Sequence, residues 1–206
     1  MGKIAGLFVV LSLLTVVMLL AGNNHGTGAV NRLELEKSQL ELAEMFVFPF
    51  LASYEISNVP AGRDIEWAFE HYVSGKRSDV IASGGLTTMN TESIAMLFSI
   101  QDVLGTPQNF MSISFRTSSG TAKQNKVFDF PATVSAWGWK GAERVAIPDE
   151  GTIIVVAGVM SSSSLVPVDS EIFSGSEDAF EDLLKNEHVF LLSLSVKEST
   201  LHMQNQ

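Results

Sequence analysis

The stretch DIEWAFEHYV, Asp64 to Val73, decides the fold. Ile65, Trp67, Phe69, His71 and Val73 fall on one side of it, and Asp64, Glu66, Ala68, Glu70 and Tyr72 on the other. A period of two, with one apolar row and one acidic row, belongs to a half-buried β-strand with a solvated face. Ser74-Gly75-Lys76-Arg77 then predicts a tight turn, and Ser78 to Ser83 the hairpin partner.

Further strands flank this hairpin. Met45 to Val59 is apolar and aromatic, with an edge or bulge expected at Pro49. Phe110 to Arg116 alternates Met111, Ile113 and Phe115 with Ser112 and Ser114. Val127 to Phe130 and Thr133 to Trp139 read as strands around Pro131, and His188 to Val196 as a last one. Thr152 to Met160 is nearly all β-branched or small, the composition of a strand buried on both faces. Glu92 to Val103 and Arg32 to Glu44 fit either helix or strand. Ser176 to Asn186 is the clearest helix, with Ser176 as N-cap, Glu177 and Asp178 in the first turn, and Ala179, Phe180, Leu183 and Leu184 on one face. Short strands at regular spacing predict an all-β fold, a β-sandwich of about seven to nine mainly antiparallel strands with one short helix late in the chain.

Location comes from the other end. Behind Lys3, the run Ile4 to Ala21 is apolar except for Ser12 and Thr15, the pattern of an export signal and also the lower limit of a membrane-spanning helix. The expected division is 1–22 as signal or anchor, 23–44 as linker or stalk, and 45–206 as an extracytoplasmic domain. Retention places the domain outside the cell membrane on a single N-terminal anchor; cleavage between Gly22 and Ala29 releases it. Removing Lys3 from the 13 basic residues leaves 12 against 23 acidic ones, about 11 net negative charges beyond the leader. Such acidity argues against nucleic acid as a partner, since phosphate binding needs clustered Lys and Arg. The chain has no cysteine, so disulfides, thiolate metal sites and thiol nucleophiles are excluded.

Leu20-Ala21-Gly22 at the end of the leader, Trp67 with Tyr72, Gly75 and Lys76, and the pair Trp137 and Trp139 together resemble small envelope lipoproteins of Gram-positive bacteria. The resemblance implies a β-rich domain at the outer face of the membrane and carries no catalytic residues. Asn23 stands where such lipoproteins have their lipidated cysteine, so a thioether-linked lipid has no attachment point here.

Three groups of residues are candidate sites. Asp64, Glu66 and Glu70 share one strand face at a spacing of about 7 Å per two residues, which suits paired acid and base work on a glycan or a plain solvated surface. Trp137 and Trp139 share a face if their segment is a strand; exposed they form a stacking platform for sugar rings or a peptide, buried they are core. The acids from Asp169 to Asp182 invite calcium, but Phe173 occupies the fifth loop position of an EF-hand pattern, and helix initiation accounts for several of them. His71 and His188 lie in predicted strands and His25 and His202 near the ends, without the spacing of a zinc site. No nucleophile elbow or phosphate-binding glycine loop is present. The expectation is no cofactor, no metal and no catalytic residue: a binding or structural module whose partners are the membrane, through Ile4 to Ala21, and an envelope protein or glycan. The alternatives are a glycan-directed hydrolase and a calcium-dependent adhesion domain.

Overall fold

The alternation of DIEWAFEHYV becomes strand β3, Arg63–Val73, whose rows carry the predicted identities. Ile65, Trp67 and Phe69 are buried, while Glu66 is exposed on the reverse side. Ser74 and Gly75 both take positive φ, 48° and 78°, the requirement of the two-residue turn whose twist matches the strands it joins. The computed structural model describes residues 28–37, 41, 50–59, 63–87, 93–103, 106, 108–131 and 134–199. The leader Ile4 to Ala21 and Pro49 lie outside these residues. Among the described residues no helix is long and apolar enough to cross a membrane.

The other strands are β1 (Ala29–Leu33), β2 (Phe50–Ser57), β4 (Lys76–Thr87), β5 (Ile94–Asp102), β6 (Gln108–Thr117), β7 (Gly120–Asp129), β8 (Ala136–Gly141), β9 (Arg144–Ala146), β10 (Gly151–Ser161) and β11 (His188–Glu198). They form a six-stranded sheet, β7-β6-β5-β2-β1-β9, and a five-stranded sheet, β4-β3-β11-β10-β8, with every pairing antiparallel. The fold is an all-β sandwich. Its strands among the described residues number eleven, more than the seven to nine expected. The ambiguous stretch from Glu92 is strand β5, buried on both faces from Ile94 to Ile100. Arg32 and Leu33 belong to a strand, whereas Lys37 and Glu41 are helical and approach to 3.8 Å. Residues 29–33, assigned above to the linker, therefore form a sheet strand between β2 and β9, with Val30 fully buried. Its two pairings explain why so short a strand is held.

The two sheets meet through large side chains. Phe69 of β3 packs on Phe98 of β5 at 5.3 Å between ring centres, and Trp67 packs on Phe115 of β6 at 6.0 Å. Tyr54 of β2 is fully buried, and its hydroxyl donates to the carbonyl of Val155 at 3.1 Å. Val155 sits at the register shift in β10, a bulge whose carbonyl also accepts from the Ala142 amide at 2.9 Å. Burial holds the Tyr54 phenol far above its ordinary pKa. Tyr54→Phe is expected to cost only about 1 kcal/mol, because the Ala142 amide keeps the bulge carbonyl satisfied; a urea midpoint for the two proteins checks it. A loss several times larger would mean that the hydroxyl anchors the bulge.

Between β10 and β11 the chain leaves the sheet through a 3-10 turn η1 (Ser170–Ser174) and the helix α1 (Glu177–Leu183). Ser176 caps α1 by accepting from the Ala179 amide at 3.3 Å, as its sequence implied. Asp169 does the same for η1, accepting from the Glu171 amide at 3.0 Å. Ile172, Phe173 and Leu183 are buried beneath this excursion. It covers the side of the five-stranded sheet turned away from β5 and β6: Phe180 meets Tyr72 edge-on there.

Candidate functional site

Strand register sets out the inner face of the five-stranded sheet in rows. One row runs Gly141, Val156, Leu192, Phe69, Ala82 across β8, β10, β11, β3 and β4. The next runs Trp139, Gly158, Phe190, His71, Asp79, and the row after it Trp137, Met160, His188, Val73. Along this direction the face passes from a row with one ring, Phe69, to one with two large aromatics, to a rim with an indole and an imidazole.

The two tryptophans share a face, as their spacing required, and differ in burial. Trp139 lies in the core against Phe50 at 5.8 Å, Phe69 at 6.4 Å and Phe190 at 5.9 Å. Its indole nitrogen is buried without a hydrogen-bond partner. Trp137, two residues nearer the strand end, is 56% exposed, the largest exposed apolar side chain among the described residues. Around the start of its strand, the Ser135 amide donates to the Ser161 carbonyl at 3.0 Å, and the Ser135 hydroxyl to the Ser162 carbonyl at 2.8 Å. Glu187 in turn accepts from the amide and hydroxyl of Ser162, at 2.9 and 2.8 Å. Those two bonds, the amide's first, pull the Glu187 carboxyl below its usual range.

His188 and His71 are brought together, which sequence reasoning missed. His71 Nε2 and His188 Nδ1 stand 3.1 Å apart. The His71 ring lies flat on Phe190, with centroids 4.4 Å apart and planes 4° from parallel. Burial, reinforced by the neighbouring His188, holds the His71 pKa below its ordinary value, while the Asp79 carboxylate pulls the other way. The pairing joins residues 117 positions apart. No local pattern could signal it, since it depends on β3 and β11 being neighbours. Among the described residues no group of three or more His, Asp and Glu could hold a metal ion.

The acidic row of β3 lies on the opposite face of the sheet. Glu66 pairs with Lys197 across the strand boundary. Glu70 accepts from Arg77 at 2.9 Å and from the Tyr72 hydroxyl at 3.2 Å. Asp64 keeps one buried oxygen without a hydrogen-bond partner. Of these three acids, Glu66 and Glu70 are thus each engaged by a cation. Two open grooves occur elsewhere: one of about 390 Å³ beside β1, and one of about 570 Å³ between β9, β10 and η1. Neither includes Asp64, Glu66 or Glu70 in its lining. In the larger groove Glu150 is held by Arg63 at 2.7 Å.

Several of the acids proposed for calcium have local work. Asp169 caps η1, Glu177 and Asp178 occupy the first turn of α1, and Asp182 pairs with Lys185. No protein family, curated protein or solved structure matches this chain.

Proposed function

We propose that the chain is a non-catalytic binding module at the outer side of a cell membrane, tethered or released according to the fate of Ile4 to Ala21. Its ligand stacks on Trp137. The observation that carries this reading is the 56% exposure of that indole in the row beyond the aromatic one. Indole rings left in water are a favoured means of holding an apolar ligand face, because they supply large rigid area at small entropic cost. The surroundings suit a ligand that is polar at its edges, such as a sugar ring or an extended peptide: Ser135, Ser162 and Glu187 lie along the connections beside the strand end. The engaged carboxylates Glu66 and Glu70 favour this reading over a hydrolase.

The test is a titration of the full chain with cell-wall glycan fragments and envelope peptides, followed by tryptophan fluorescence. Trp67 is buried and Trp139 half-buried, so a shift confined to a solvent-exposed indole reports on Trp137. Trp137→Ala is expected to weaken binding at least about tenfold, equivalent to ~1.4 kcal/mol. Stability should change by no more than about 0.5 kcal/mol, as for other surface substitutions. Binding that survives the substitution undiminished would remove Trp137 from the site.

A further inference from the structure

We infer that the His71–His188 pair is an acid-operated latch on the end of the sandwich that carries Trp137, so that acid loosens the binding platform. The functional meaning rests on the reading of Trp137 given above; the physical device rests on geometry alone. Glu187 and His188 tie three separate pieces of chain together. The Glu187 carbonyl accepts from the Ser74 amide of the β3–β4 turn at 2.9 Å. Its carboxylate holds Ser162, which holds Ser135 at the start of the Trp137 strand. His188 completes the node by meeting His71.

At 3.1 Å the two facing ring nitrogens share one proton, with one ring donating and the other accepting. One added proton can sit on an outward ring nitrogen and leave that bond in place; charging both rings aims two N–H groups at one another and places two positive charges at contact distance. The His71 ring cannot simply step aside. His71 is stacked on Phe190, and Phe190 is itself packed by Phe128, Phe130, Trp139 and Phe69.

The charged groups around the pair decide which way it responds. From β4, Asp79 stands opposite His71 and favours its charged form. From the segment entering β11, Glu187 Oε1 lies 3.8 Å from His188 Nε2. Lys76 stands across Val73 from His188 and adds positive charge. Met160 and Trp137, next in the row, and Phe128 of β7 and Phe130 just beyond it carry no titrating group.

The sign follows from the depressed His71 value. In the unfolded chain His71 takes its proton near 6.5, and in the folded chain only at lower pH. Below 6.5 the unfolded chain therefore holds more protons at this position, and stability tied to neutral His71 is present above that pH and lost as pH falls through its folded value. The strain falls on the pair itself, so its neighbours open first.

Amide hydrogen exchange on the full chain, corrected for intrinsic rates, tests the latch near pH 7.5 and near pH 5.5. Protection at Ser74 and Ser162 is expected to fall about tenfold more on acidification than protection in β1 and β2. His71→Gln, whose amide can still bond His188 but takes no proton, should abolish that extra loss. His71→Phe, which keeps the stack on Phe190, should do so as well and guards against misfolding of the first variant. An unchanged acid response in both variants, or no local response in the natural chain, overturns the latch. Ligand binding by Trp137 measured near pH 7.5 is independent of this outcome, so failure of the binding reading and failure of the latch are separable.

Discussion

Replacing Phe69 with alanine is expected to cost about 3–5 kcal/mol. Phe69 is fully buried, and its ring meets Phe98, Phe128, Trp139 and Phe190 at 5.3 to 6.4 Å. Those partners come from β5, β7, β8 and β11, so one side chain fills the space between the two sheets and along both of them. Truncation removes the transfer energy of the ring and leaves a cavity walled by four other rings, which are too bulky and too mutually packed to collapse into it. Against a typical total of about 5–15 kcal/mol the variant would be marginal at best. Urea unfolding reads the effect as a lower midpoint at an unchanged slope. Val127→Ala, at a side chain 46% exposed on the edge strand, serves as the contrast and should lie within about 0.5 kcal/mol of the parent. A Phe69→Ala loss below about 1 kcal/mol would mean that the sheets do not pack through this ring.

The reason Phe69 can be singled out lies partly in the sequence and partly beyond it. Alternation in DIEWAFEHYV identifies its inward row and the Ser74-Gly75 turn sets the first pairs of its hairpin, because both signals are local, whereas the two register shifts that bring Phe69 opposite Ala82 have no such signal. The partners of that row are not local. Phe190 comes from a strand read correctly as a strand, yet nothing in either segment states that β3 and β11 are neighbours, and the His71–His188 contact was hidden for the same reason. Strand β7 was legible only from Val127 onward, since Ala122 to Lys126 is polar and exposed on an edge that buries one face at most. Strand β1 was hidden by its brevity and by the Leu and Glu residues that follow it. Of the candidate site residues, the shared face of Trp137 and Trp139 followed from spacing, whereas their unequal burial follows from packing, since Trp139 alone lies against Phe50, Phe69 and Phe190. The cations that engage Glu66 and Glu70 were half visible: Arg77 lies in the same hairpin, while Lys197 arrives from β11.

Gly158→Ala should destabilise the domain by about 1–3 kcal/mol although it adds a single methyl group. Gly158 lies between Trp139 and Phe190 in the aromatic row, and a Cβ there would come within 2.4 Å of Trp139 Cε3 and Cζ3. No contact of that kind is tolerable, so either the indole or the strand must move. The indole has little freedom, because Phe50, Phe69 and Phe190 pack around it. Glycine is therefore required at this position by the ring lying over it rather than by its backbone angles, an arrangement in which an aromatic from the next strand shields an otherwise weak site in the sheet. Gly138 of the neighbouring strand makes the argument sharp. Its added Cβ would find only Val159 Cγ2 at 4.0 Å, an ordinary contact, so Gly138→Ala should be tolerated or mildly stabilising. A double-mutant cycle isolates the cause. Trp139→Ala by itself is expected to cost about 3–5 kcal/mol. With the indole gone, Gly158→Ala should cost little or nothing, giving a coupling of about 1–3 kcal/mol between the two positions. Retention of the full Gly158→Ala penalty in the Trp139→Ala background would instead locate the fault in the backbone, and the ring would lose its role in keeping that strand position free of a side chain.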